Sequence, residues 1–308
     1  MVSTDAATGA LLGLACGDAL GRPVAFRSAD SITDAHGRVT EMLADGTHGQ
    51  PAGTVTDDTE MALCIARSLV ENGAFDGQDI ARRFHEWYEG GPFDVGLMTA
   101  DALRQYGQGA SWRDAGRTVW QHRDEGKNAG NGSVMRSAPY AVAFENDLDA
   151  LERASRLSSR TTHYDPRCAY GCVVLNATIA GFLRDADAPL EAALARVEDE
   201  APAELVEALR VVPDRVDDAQ LRSTGYVVHT LQTALHDALT AKSAEEAVVT
   251  AVNCGGDTDT VGAVAGAVAG ARFGADALPA RWLQTVDYRQ DLELLARALA
   301  TTDIEPPA

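Results

Sequence analysis

The stretch Asn253-Cys254-Gly255-Gly256-Asp257-Thr258-Asp259-Thr260 runs without a break into Val261-Gly262-Ala263-Val264-Ala265-Gly266-Ala267-Val268-Ala269-Gly270-Ala271-Arg272-Phe273-Gly274. Residues 262–274 read as one helix of small residues. Small side chains let backbones approach closely, which puts this helix in the middle of a helical bundle. Two carboxylates and two hydroxyls stand at its start, behind a glycine pair, so these polar groups lie at the centre of the fold.

Outward from this helix, apolar residues recur at spacings of three and four, as in Leu63, Ala66, Leu69 and Val70, or Leu151, Ala154 and Leu157, and strict alternation is scarce. The expectation is an almost wholly α-helical chain. Turn signals near Gly21-Arg22-Pro23, Asn72-Gly73, Gly90-Gly91-Pro92, Gly130-Asn131-Gly132, Pro202, Pro213 and Gly255-Gly256 cut it into roughly a dozen helices. With 308 residues, 45% hydrophobic, and no repeat or linker, the chain is expected to be an all-α single domain over 1–308. The segment 21–56 contains Gly46, Gly49, Pro51 and Gly53 and has little periodicity; it reads as a long functional or mobile loop. Segments 78–90, 189–212 and 243–252 read as amphipathic packing helices without chemistry.

The formal net charge of −20, with Lys127 and Lys242 the only lysines, offers no basic patch. A nucleic-acid partner is therefore not expected. There is neither an apolar run long enough to span a bilayer nor a signal-peptide pattern, so the expected location is cytoplasmic, with no membrane partner. The five cysteines, Cys16, Cys64, Cys168, Cys172 and Cys254, read as reduced core thiols. Cys168 and Cys172 lie one turn apart but have no second ligand pair to complete a metal site.

Two acidic clusters carry the chemistry: Thr56-Asp57-Asp58-Thr59-Glu60 at the start of a helix over 61–70, and Asp257-Thr258-Asp259-Thr260 at the start of the helix over 261–272. Asp and Thr are ordinary helix caps, and acids there complement the helix dipole. Two acids plus hydroxyls at each of two helix starts exceed what capping uses. A cation resolves their repulsion, and hard oxygen donors favour magnesium, manganese or calcium over zinc. A third element, Gly130-Asn131-Gly132-Ser133, opens a helix expected over 134–144 and suits an anion at its N-terminus. A plain turn with a Ser cap is the commoner meaning of such a string. A fourth is the polar turn Thr161-Thr162-His163-Tyr164-Asp165-Pro166, where a lone His163 is more often solvated or capping than ligand-binding.

In this order the elements resemble the ADP-ribosylglycohydrolase family, from Gly9 to about Gly274. The matching strings are Gly13-Leu14-Ala15-Cys16-Gly17-Asp18-Ala19-Leu20-Gly21, Thr56-Asp57-Asp58-Thr59, Pro92-Phe93-Asp94-Val95-Gly96, Gly130-Asn131-Gly132-Ser133-Val134-Met135-Arg136, Thr162-His163 and Gly255-Gly256-Asp257-Thr258-Asp259-Thr260. Any one is weak; six in order are specific. The resemblance implies an all-α domain with two Mg2+ or Mn2+ ions held by Thr56, Asp57, Asp58, Asp257, Asp259 and Thr260. It also implies an ADP-ribose site formed by Asn128, Ala129, Gly130, Asn131, Gly132 and Ser133, with His163 nearby. The implied reaction is hydrolysis of the glycosidic bond between ADP-ribose and an acceptor on an ADP-ribosylated substrate, most simply a protein, releasing free ADP-ribose through an oxocarbenium-like transition state. The ions orient the ribose, Asp58 is the candidate base, and Asp94 matches an acid on the acceptor side, although it also suits a helix cap.

One position departs from the family pattern. Many members carry a glutamate where this chain has Ala25. Either Asp30 or Glu41 in the same loop substitutes for it, or Asp57 and Asp58 suffice without it, or the protein is an ADP-ribose-binding member with little hydrolase activity. A metal phosphohydrolase built on His236-Asp237 is a remote third reading, because that doublet reads as a surface pair.

Overall fold

Glycine sets the central helix pair. A computed structural model describes residues 4–124, 126–214 and 221–308, and in it α1 (Thr4–Gly21) lies against the small-residue helix, α14 (Thr258–Phe273). Gly9, Gly13, Gly17 and Gly21 are four residues apart and so share one face of α1. A Cβ at these positions would lie 2.1, 2.1, 1.9 and 2.2 Å from the carbonyl oxygens of Gly270, Gly266, Gly262 and Thr258. The two backbones are in direct contact, and both helices are buried almost throughout.

The other helices wrap this pair: α2 (Ala29–His36), α3 (Asp57–Asn72), α4 (Gly77–Glu89), α5 (Leu97–Gly107), α6 (Ala115–His122), α7 (Ala138–Ala143), α8 (Leu148–Arg160), α9 (Pro166–Leu183), α10 (Pro189–Val197), α11 (Ala203–Arg210), α12 (Val227–Thr240), α13 (Ala244–Asn253), α15 (Ala280–Leu283) and α16 (Arg289–Thr301). The all-α expectation holds. The helix count rises to sixteen among the described residues, because short helices such as α2 and α15 carry too few turns to show a period. The segment 189–212 is two helices, broken where Pro202 caps α11.

The segment 21–56 is not a bare loop. It holds α2 and a two-residue strand, β1 (Arg27–Ser28), which pairs antiparallel with β2 (Gly255–Gly256). Gly255 and Gly256 have φ of 74° and 76°, and a Cβ on Gly256 would lie 1.9 Å from Ser223 O, so this turn requires glycine. The rest of the segment is pinned by Arg22, which is fully buried and donates to the carbonyl oxygens of Leu43, Asp45, Gln50, Pro51 and Thr54. Five donors in a rigid fork tie together a stretch with no periodicity of its own. The thiols are all free, but Cys254 is exposed and Cys64 only part-buried, so the core-thiol expectation fits Cys16, Cys168 and Cys172 alone.

Candidate active site

The starts of α3 and α14 meet: Thr260 Oγ1 lies 3.5 Å from Asp58 Oδ2. What holds them is Asp18, a fully buried residue of α1 to which the sequence reading gave no role. Its carboxylate accepts from Thr56 N–H (3.1 and 3.0 Å), Thr56 Oγ1 (2.9 Å), Thr59 N–H (3.2 Å) and Thr59 Oγ1 (2.6 Å). An acid in the apolar stretch of α1 beyond its first turn was the available signal. Asp18 thus satisfies the N–H groups of Thr56 and Thr59 and fixes the start of α3. On the other helix, Asn131 Nδ2 donates to Asp257 Oδ2 (2.7 Å) and Thr260 N–H to Asp259 Oδ1 (3.0 Å). Gly96 N–H, from the segment before α5, donates to Asp57 Oδ2 (3.2 Å).

Asp57, Asp58 and Asp259 are 6%, 1% and 3% exposed. Burial, then Asp94, lifts Asp57 to about 8. Asp58 rises well above the carboxylate range through burial and then Asp18 and Asp57, and Asp259 through burial and then Asp257 and Asp94. Asp58 Oδ1 is buried without a hydrogen-bond partner, which costs about 1–3 kcal/mol or more for a charged group. Mutually repelling carboxylates with an orphaned oxygen suit a bound divalent cation, so Thr56, Asp57, Asp58, Asp257, Asp259 and Thr260 are together as expected and chemically fit for one.

Above them opens a cleft of about 610 Å3, lined among others by Asp57, Asp94, Asp257, Asp259, Thr260, Ala129, Gly130, Asn131, Gly132 and His163. The glycine loop differs from expectation. Residues 132–136 are turns and the helix begins only at Ala138, so no helix N-terminus faces the cleft there. The loop is held instead by pairing with a facing strand-like segment, Asn131 N–H to Gly225 O and Val227 N–H to Ala129 O. His163 is not solvated: it is 3% exposed and packs beneath the loop, where a Cβ on Gly132 would lie 2.7 Å from its ring. Thr162 Oγ1 accepts from Arg136 Nη2 (2.6 Å) and lies 2.8 Å from His163 Nδ1; in the tautomer that accepts from this hydroxyl, the imidazole proton sits on Nε2. Burial, then Arg136, depresses His163 to about 3, so the ring is neutral.

Asp94 is at the cleft with its Oδ2 3.3 Å from His48 Nε2, a histidine the sequence reading missed because it lies in the aperiodic segment. Burial, partly offset by His48, raises Asp94 above the usual carboxylate range. Asn128 and Ser133 do not line the cleft. Asn128 meets Arg167 (3.4 Å), and Ser133 turns inward to Ser159 (3.0 Å) and Cys172 (3.5 Å). Neither Asp30 nor Glu41 stands in for the missing glutamate, since Asp30 is exposed on α2 and Glu41 pairs with Arg281 at 2.6 Å on the surface. Cys168 donates to Gly130 O, and burial lifts both its thiol and that of Cys172, so neither is poised as a thiolate ligand. Asp237 is 3% exposed rather than a surface residue; it pairs with His236 on α12, outside the cleft lining.

An all-helical bundle with paired aspartate clusters at two central helix starts, under a glycine-loop cleft, defines a class, and the chain belongs to it: the ADP-ribosylglycohydrolase family, whose profile matches residues 2–307. Among its relatives are the ADP-ribosylarginine hydrolase Tri1 of Pseudomonas putida, 34% identical over 96% of this chain and 78% of that one, and the ADP-ribosyl-[dinitrogen reductase] glycohydrolase of Rhodospirillum rubrum, 34% identical over 94% and 93%. A solved structure of an ADP-ribosylglycohydrolase-related protein complex superposes with a TM-score of 0.81 at 35% identity, covering 97% of this chain and 98% of that one. No helix among the described residues is long and apolar enough to cross a membrane.

Proposed function

We propose that this protein hydrolyses the glycosidic bond between ADP-ribose and an acceptor, using two divalent ions, Mg2+ or Mn2+, held by Thr56, Asp57, Asp58, Asp257, Asp259 and Thr260. The observation that carries the reading is the orphaned, buried Asp58 Oδ1 amid carboxylates that raise one another. When bound, such ions supply Lewis-acid stabilisation and make nearby water easier to deprotonate.

The chain's own groups do the rest. Asp58 is the base for the attacking water, its Oδ1 buried and without a hydrogen-bond partner. Asp94, raised and at the cleft wall, exchanges a proton with the departing acceptor. Backbone around Gly130, Asn131 and Gly132 receives the diphosphate, Lys127 at the cleft adds a positive charge, and His163 Nε2–H donates to the ligand from beneath the loop. Asn128 and Ser133 support this loop rather than touch ligand. The 34%-identical relative named for ADP-ribosylarginine makes that linkage the first to assay.

The family match over 2–307 supports a single domain across 1–308. Free thiols throughout accord with a cytoplasmic setting, and the net charge of −20 argues against a nucleic-acid partner. The test is release of free ADP-ribose from arginine-linked and serine-linked mono-ADP-ribosylated protein with each metal. Turnover that Asp57→Asn and Asp259→Asn each cut by a hundredfold or more, about 2.7 kcal/mol of transition-state stabilisation, supports the reading. Survival of every linkage in the presence of folded, metal-loaded protein sinks it.

A further inference from the structure

The segment ahead of α3 that Arg22 pins delivers one side chain to the acidic centre. His48 ends the 3₁₀ turn Gly46–His48, and one ligand atom from each of His48, Asp94 and Asp259 lies within 4.8 Å of the other two. The ring is held between Phe26 and Phe93, at centroid distances of 6.2 and 5.5 Å. Its turn is fixed from behind: Thr47 Oγ1 donates to Ala25 O (2.7 Å), and Gly46 sits so close to Pro23 that a Cβ would lie 2.2 Å from Pro23 O. Nε2 is shielded from solvent, and although Asp94 Oδ2 is 3.3 Å away, no acceptor or donor is in hydrogen-bond geometry with it. A buried imidazole nitrogen without a hydrogen bond, close to two carboxylates, has the make-up of a cation ligand set.

We propose that His48, Asp94 and Asp259 form a cation site of mixed nitrogen and oxygen donors on the cleft wall, sharing Asp259 with the oxygen-ligated centre and selecting a borderline transition ion such as Mn2+ or Co2+ over Mg2+. Around an octahedral ion with bonds of about 2.1 Å, neighbouring ligands lie about 3.0 Å apart and opposite ones about 4.2 Å, so His48 and Asp94, at 3.3 Å, are close to the spacing of neighbours and the Asp259 carboxylate draws in to complete the site. Imidazole is a poor ligand for Mg2+ and a good one for first-row transition ions. An ion bound there holds Asp94 ionised, so the proton exchange assigned to Asp94 belongs to the protein without an ion on His48. The same ion ties a carboxylate on the segment between α4 and α5 to the start of α14, across the mouth of the cleft.

The inference rests on Asp259 being a metal ligand, as proposed above, and the experiment separates the two. Electron spin-echo envelope modulation of the Mn2+-loaded protein is expected to show nitrogen coupling from a directly bound imidazole, lost in His48→Gln. The same substitution is expected to weaken Mn2+ binding about tenfold or more while leaving Mg2+ binding unchanged. In the unmodified protein, Mn2+ is expected to protect His48 from diethylpyrocarbonate, read residue by residue by mass spectrometry, which requires no variant to fold. Mn2+ binding without nitrogen coupling, coupling that persists in His48→Gln, or unprotected His48 overturns the His48 site alone. No Mn2+ or Mg2+ binding at all overturns both it and the oxygen-ligated centre.

Discussion

At the scale of single residues, the least conspicuous acid organises the others. Asp18 is the acceptor for two backbone N–H groups and two hydroxyls of Thr56 and Thr59. An asparagine there keeps one acceptor oxygen and turns an NH2 group toward donors. Asp18→Asn is therefore expected to destabilise the metal-free protein by about 3 kcal/mol or more, since breaking a buried hydrogen-bonded charge leaves partners unsatisfied. A urea melt in a chelator reads this directly, and an unchanged midpoint would show that Asp18 does not anchor α3. Asp57, Asp58, Asp257 and Asp259 were legible in the sequence because each pair crowds one helix start. Asp18 and His48 were not, because their roles depend on which distant helix or turn they reach.

At the scale of elements, the α1–α14 contact decides the fold, and it tolerates no side chain. A Cβ on Gly266 would lie 2.0 Å from Gly13 O, and one on Gly13 would lie 2.1 Å from Gly266 O. Because the obstacle is backbone, no rotamer relieves it. Gly266→Ala is expected to cost about 3 kcal/mol or more, the top of the range for overpacking, and Gly266→Leu to prevent folding. Gly96, where an added Cβ meets only Thr99 Oγ1 at 3.8 Å, serves as the control, with Gly96→Ala costing about 1 kcal/mol or less. Equal melting temperatures for Gly266→Ala and Gly96→Ala would refute the close contact. The small-residue run announced α14 as central, and the four-residue glycine spacing of α1 was present in the sequence but told nothing of its partner. The segment 21–56 was illegible for a different reason: its order comes from Arg22 reaching carbonyls up to 32 residues away, and hydrogen bonds of that range leave no local period.

At the scale of the whole molecule, the acidic centre links folding, protons and metal. Burial holds Asp18 at about 6 and Asp57 at about 8, and raises Asp58 and Asp259 well above the carboxylate range, whereas in the unfolded chain each titrates near 3.9. Between about pH 4 and 8 the metal-free native state therefore binds more protons than the unfolded chain. The stability these groups contribute is fully present below the unfolded value and is lost as pH rises through their native values. A divalent ion takes the ionised form, so protons compete with it, and its stabilisation grows with pH in the same window; at a hundredfold excess over Kd a single site adds about 2.7 kcal/mol. The net charge of −20 also weakens the fold as pH rises, but it acts with and without metal and cancels in the difference. Paired thermal melts in Mn2+ and in a chelator from pH 6 to 8 are expected to diverge, the chelated protein melting progressively lower while the metal-loaded protein holds. Asp57→Asn removes the group that titrates at about 8 and is expected to flatten that divergence. A gap that stays constant across the range would mean that these carboxylates do not exchange protons for metal.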